Sequence, residues 1–184
     1  MKAMAKHSRN YTDTNQVLPD LLDNRVVTVF CGSAVGAASA RLGVPYAGPG
    51  NKFWPMLHET GLTPRLFAPD DYRDLLALRI GLTDVNKTQS GADSDLTADG
   101  DDVAAVVAKV EKYQPKFLAF TAKRPAQVFM KSVFGHGKVE YGLQRDSVGS
   151  VAIFVLPSSS GLAIRWWEPK WWHEAAALHR KLAQ

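Results

Sequence analysis

Asp84 ends the short run Ile80-Gly81-Leu82-Thr83, and that position gives its carboxylate chemical interest. A short apolar run of this kind reads as a buried strand. In an open α/β sheet, ligands bind beyond the carboxyl ends of the strands. The same rule selects Gly32-Ser33-Ala34-Val35-Gly36, which follows the β-branched run Arg25–Cys31, and Ser158–Leu162, which follows Val151–Leu156 and Pro157. The loop Pro45–Asn51 (PYAGPGN) is too rich in glycine and proline to be regular, and it can fold over the same crevice. A carboxylate there can orient a water or stabilise positive charge. Backbone N–H groups after the first strand can stabilise negative charge. Each residue also has a plainer use. Asp84 can cap a turn, Tyr46 can be a half-buried aromatic, and the serines can satisfy backbone groups at a strand end.

The elements that would position these residues alternate between strand and helix. After the first strand, Ala37–Arg41 can open a helix, and a second is expected from Lys52 to about Thr60. Pro69–Leu78 reads as a helix with proline in its first turn. The segment Asn86–Asp95 is a polar surface loop by composition. Val103, Val106, Val107 and Val110 share one helical face. Phe117–Thr121 makes the next strand, Pro125–Phe134 a helix, and Val151–Leu156 a strong buried strand. Trp171, Ala175, Leu178 and Leu182 have helical spacing in a last helix from Pro169. The pattern predicts a three-layer α/β/α domain around a mostly parallel sheet. The domain is expected over residues 21–184, behind a flexible, solvated tail over 1–20.

The 184 residues, 46% of them hydrophobic, suffice for one packed core. A net charge of +4 favours a polyanionic partner weakly. The single cysteine, Cys31, lies in an apolar run and reads as a buried thiol; it cannot form an internal disulfide or an iron–sulfur cluster. The five histidines lack metal-ligand spacing, so neither metal nor cofactor is expected. No apolar run is long enough for a membrane helix, and the N-terminus lacks a secretory signal; a cytoplasmic monomer is the expectation.

The stretches FCGSAVGAASA, PYAGPGNKFW, GLTDVNK, YQP and LPSSSGL stand in this order from about Val26 onward. Together they resemble the mismatch-specific uracil and thymine DNA glycosylases, and PYAGPGNKFW is the most distinctive of them. The resemblance implies a glycosylase fold and a base pocket lined by Gly32 and Ser33. It implies that Tyr46 stacks on a flipped base and that Asn51 shapes the pocket. It further implies that Ser158, Ser160 and Gly161 pinch the DNA backbone while Leu162 wedges into the duplex. Lys52 and Lys87 are expected to contact phosphates. The sequence departs from the family where the first motif usually carries an asparagine that positions the attacking water. Ala34 stands there, followed by Val35 in place of proline. Asp84 is the candidate for the missing polar group, with Asp93 a weaker one.

The expected partner is double-stranded DNA carrying uracil or a mismatched base. Flipping the base out costs a few kcal/mol of unstacking, which an apolar wedge and an aromatic stack would offset. Two readings compete with excision: a catalytically inactive relative that binds damaged DNA, kept open by Ala34, and an α/β enzyme acting on free nucleosides or nucleotides. Trp166, Trp167, Trp171 and Trp172 suit either a DNA-facing surface or the packing of a helix face.

Overall fold

The computed structural model describes residues 15–184, apart from the Trp166 side chain. Five strands form one sheet: β1 (Thr28–Gly32), β2 (Ile80–Asp84), β3 (Phe117–Phe120), β4 (Gly142–Val148) and β5 (Val151–Val155), in the order β2-β1-β3-β5-β4. β1 runs parallel to β2 and β3, and β3 parallel to β5; β4 is antiparallel to β5 at the edge. The helices are α1 (Ala37–Leu42), α2 (Phe53–Glu59), α3 (Val103–Tyr113), α4 (Lys123–Phe134) and α5 (Lys170–Leu182).

Strand side chains alternate between two cores, as the two-residue period requires. Phe30, Ile80, Leu82, Phe117, Ala119 and Phe154 pack with α2, the 69–78 segment and α5. Val29, Cys31, Leu118, Phe120, Ile153 and Val155 pack with α3 and α4. The result is the expected three-layer α/β/α arrangement. Cys31 is fully buried, as its apolar context implies.

Several local expectations shift. Pro69–Leu78 is helical over the predicted range, in the tighter 3₁₀ form, begun by an Asp71 carboxylate that accepts from the Ala68 N–H at 2.8 Å. The inward face of α5 is wider than the predicted spacing: Trp172, Ala175, Ala176 and His179 are buried, while Trp171, Leu178 and Leu182 pack half-buried against the same core. Trp172 stacks on Phe30 at 5.8 Å and meets Phe53 edge-on at 5.9 Å, so this tryptophan belongs to the core. β4 was not anticipated. Its sequence, GLQRDSV, shows one half-polar face to solvent, as edge strands do.

Residues 1–14 of the expected tail lie outside the described residues, but residues 17–20 depart from that expectation. Val17 donates to the Lys87 carbonyl at 2.8 Å, Leu18 is buried, and Leu21 bridges to Leu82 on β2. Apolar side chains and ion pairs hold the segment against the sheet, so the domain starts earlier than the composition suggested.

Candidate active site

The chain leaves β1 toward one face of the sheet and leaves β3 toward the other, since α2 packs in the first core and α4 in the second. Adjacent strands whose connections diverge open a crevice at their carboxyl ends. Gly32 ends β1, Thr121 follows β3, and Asp84 ends β2 directly beside Gly32 in register. Beyond the strands, Val85 and Asn86 donate to the carbonyls of Gly32 and Ser33 at 3.0 and 2.8 Å, and Gly91 donates to that of Val35 at 3.0 Å. The segment expected to be a surface loop therefore continues the sheet pairing. Asn86, fully buried, organises it by accepting from the N–H groups of Thr88 and Gln89 at 3.2 and 3.0 Å.

The Asp84 carboxylate lies over the α-carbon of Gly32. A β-carbon built at residue 32 would stand 2.5 Å from Asp84 Oδ1, so only glycine admits the carboxylate here. Lys87 Nζ reaches Asp84 Oδ2 at 3.5 Å. Burial pushes the Asp84 carboxyl above the usual carboxylate range, and the Lys87 charge pulls against that rise.

The loop from Pro45 to Asn51 closes one side. Tyr46 adopts a left-handed backbone, φ 54°, which costs a non-glycine residue about 1 kcal/mol or more. Its ring stacks on Phe53 at 3.7 Å and 9°. The phenol is held well above its ordinary value, first by burial and then by the negative charge of Asp84. Asn51 Oδ1 accepts from the Phe53 N–H at 2.9 Å, so this side chain shapes the entry to α2. The loop also meets the segment after β5. A β-carbon at Gly161 would lie 2.6 Å from the Pro49 carbonyl oxygen, and Lys52 N–H donates to the Ser159 carbonyl at 2.8 Å.

These elements surround a cavity of about 750 Å³ lined by Gly32, Ser33, Tyr46, Asn51, Asp84, Ser158, Ser160, Gly161 and Leu162, so most of the residues selected from sequence share one space. Ser158 and Ser160 each accept a backbone N–H two residues on, from Ser160 and Leu162, at 3.3 Å. Leu162 is 88% exposed and Ile164 is 67% exposed. Ala34 and Val35 also line the cavity and bring no side-chain polar group. Asp93 is on its rim, exposed.

Of the two lysines, Lys52 stands outside the cavity lining with its ammonium over the Trp167 ring at 5.2 Å, and only Lys87 departs from expectation. Lys87 is 7% exposed and paired with Asp20 and Asp84, so it is not a surface phosphate contact. Sequence reasoning also missed lining residues. Thr121 could have been found by the strand-end rule, because it follows β3; its hydroxyl donates to the Cys31 carbonyl at 3.5 Å. Leu18, Pro19 and Leu21 gave no such signal. The Ser33 hydroxyl is buried and meets no hydrogen-bond partner among the described residues.

The family model described as the uracil DNA glycosylase superfamily matches residues 19–180. The chain belongs to the uracil DNA glycosylase superfamily. Among solved structures it is similar to the solution structure of a candidate uracil DNA glycosylase from Methanosarcina acetivorans. The identity is 24%, the TM-score is 0.61, and the match covers 91% of this chain and 97% of that one. At that identity the likeness speaks to the fold, and it agrees with the three-layer sheet. In a member of this superfamily, the cavity at the β1–β3 crevice is the place to look for glycosidic-bond chemistry. Among the described residues no group of three or more histidine, cysteine, aspartate or glutamate side chains could hold a metal ion.

Proposed function

We propose that this glycosylase-superfamily protein excises uracil, and bases related to it by deamination, from mismatched double-stranded DNA, as a monofunctional hydrolase. The observation that carries the reading is the Asp84 carboxylate packed over Gly32 inside the cavity that Tyr46 and Leu162 border. Only Oδ2 of Asp84 meets a protein donor among the described residues, which leaves Oδ1 for a water or for the sugar.

Cleavage of the N-glycosidic bond puts negative charge on the leaving base and positive charge on the sugar. A carboxylate in a partly dry cavity stabilises the sugar and orients a water toward C1′. Asp84 thus takes the place of the asparagine whose position Ala34 occupies. Tyr46, backed by Phe53, offers a preset ring for the extruded base. Leu162 fills the gap in the duplex, and the turn over Ser158–Gly161 meets the strand's phosphates. A weakly paired U·G site costs less to open than a Watson–Crick pair, which helps to select the target.

The test is an abasic-site assay on a duplex with one U·G pair. Wild type should give alkali-labile strands. Asp84→Ala, which leaves no group able to orient a water, should lose about 10²–10⁴-fold in single-turnover rate, the range of a positioned general base, while still binding the duplex. Activity that survives in Asp84→Ala would move the role to Asp93 or to backbone groups and water alone. Ala34 favours a second reading, a member of the superfamily that binds damaged DNA without cleaving it; tight binding by wild type with no product would establish that reading instead.

A further inference from the structure

Lys87 is the cation that touches Asp84, and it is itself held from behind. Its Nζ lies 3.1 Å from Asp20 Oδ1 and 3.5 Å from Asp84 Oδ2. Asp20 is in turn saturated: Lys109 Nζ meets its Oδ2 at 2.7 Å, and the Thr83 hydroxyl donates to its Oδ1 at 2.7 Å. Lys109 also donates to the Thr83 hydroxyl at 3.1 Å. The backbone carbonyl of Lys87 accepts from Val17, so the 17–21 segment wraps the lysine and supplies its anchor.

The arrangement contains two carboxylates and two ammonium groups. Lys109 offsets Asp20, which leaves the charge of Lys87 for Asp84. A buried ammonium with a single flexible stem needs such a frame, since leaving it unpaired would cost several kcal/mol. The other ionisable groups around Asp84 are the Cys31 thiol on β1, the Tyr46 phenol on the 45–51 loop, and the Asp20 and Lys109 charges behind Lys87. Burial and neighbouring negative charge keep the thiol and the phenol neutral. Lys87 is therefore the one cation in direct contact with Asp84 among the described residues.

We propose that Lys87 is the positioning residue of the Asp84 carboxylate, fixing it against Gly32 and holding its negative charge inside the cavity, with Asp20 fixing Lys87. This rests on the reading of Asp84 as the catalytic carboxylate, and it extends the site to a segment that precedes the sheet. Asp20 and Lys87 touch neither base nor sugar in this scheme.

The test is a side-chain carboxyl ¹³C titration of the full-length protein by NMR. In Lys87→Met the Asp84 midpoint should rise by roughly one to three pH units, the effect of removing an opposite charge at this range. Lys87→Arg should bring it back toward wild type. The wild-type protein supplies a check that needs no variant: the Lys87 side-chain resonances should show a step at the Asp84 midpoint. An unchanged midpoint in folded Lys87→Met, or no step on Lys87 in wild type, overturns the proposal. The acid limb of the single-turnover excision profile should move upward in pH with the Asp84 midpoint, and Lys87→Arg should restore it; a purely structural role would lower the rate at every pH alike. A wild type that releases no uracil while the titrations behave as described would defeat the function and leave the Lys87–Asp84 coupling standing, so the two failures are separable.

Discussion

Asp84 gains its interest from one hydrogen atom on its neighbour. Gly32 is the position where a methyl group would collide with Oδ1, at 2.5 Å, and the obstructed atom is the end of a rotatable side chain. Gly32→Ala should therefore displace the carboxylate more than it disturbs the strand. The expected outcome is a loss of excision approaching that of Asp84→Ala, with a change of only a few degrees in Tm; equal losses of stability and activity would count against it. At this scale much was legible in the sequence. The strand-end rule found Asp84, Gly32 and the serine turn from hydrophobic runs alone. Lys87 was misread because its neighbours, Asn86, Thr88 and Gln89, have surface-loop composition. Only the tertiary pairing of that stretch with residues 32–35, and the arrival of Asp20, bury it.

Among the elements, the junction of the 45–51 loop with the turn after β5 carries the clearest prediction. Gly161→Ala would force a β-carbon to within 2.6 Å of the Pro49 carbonyl oxygen, where backbone rather than a side-chain tip must move. The cost should be about 1–3 kcal/mol, as for other overpacked contacts. Duplex affinity should fall while far-ultraviolet circular dichroism stays unchanged. Sequence could mark Gly161 as a turn residue, yet its partner Pro49 lies over a hundred positions away and no local signal joins them. β4 escaped for a different reason: an edge strand with one wet face has little apolar pattern to read. The 69–78 segment kept its predicted limits, because Pro69 and Asp71 fix its start whichever helical period follows.

The whole molecule responds to pH through His179. Its ring is buried, bonds Thr28 Oγ1 at 2.7 Å, and has its pKa lowered from 6.5 to about 4, first by desolvation and then by the Arg79 charge. The unfolded chain therefore binds a proton more readily than the native state across that interval. Stability from this group is fully present above about pH 6.5 and is lost as pH falls toward about 4, where the loss levels off. The loss should be up to about 3 kcal/mol. Urea unfolding of His179→Gln between these pH values should show a flatter slope than wild type; an identical slope would refute the assignment. A second global property is salt. With a net charge of +4, duplex binding should weaken log-linearly with salt, by about 0.9 for each phosphate neutralised. Equilibrium titrations at several salt concentrations measure it, and a flat response would exclude a backbone-gripping mode.

The seam between Gly50 and Gly161 has one more consequence. Because Lys52 and Gly161 lock the two loops edge to edge, the ring that would read an extruded base and the leucine that would replace it belong to a single jaw. Displacing one should displace the other. Recognition of the lesion and prising of the helix would then occur as one event, and a substitution on either side of the seam should be felt on both.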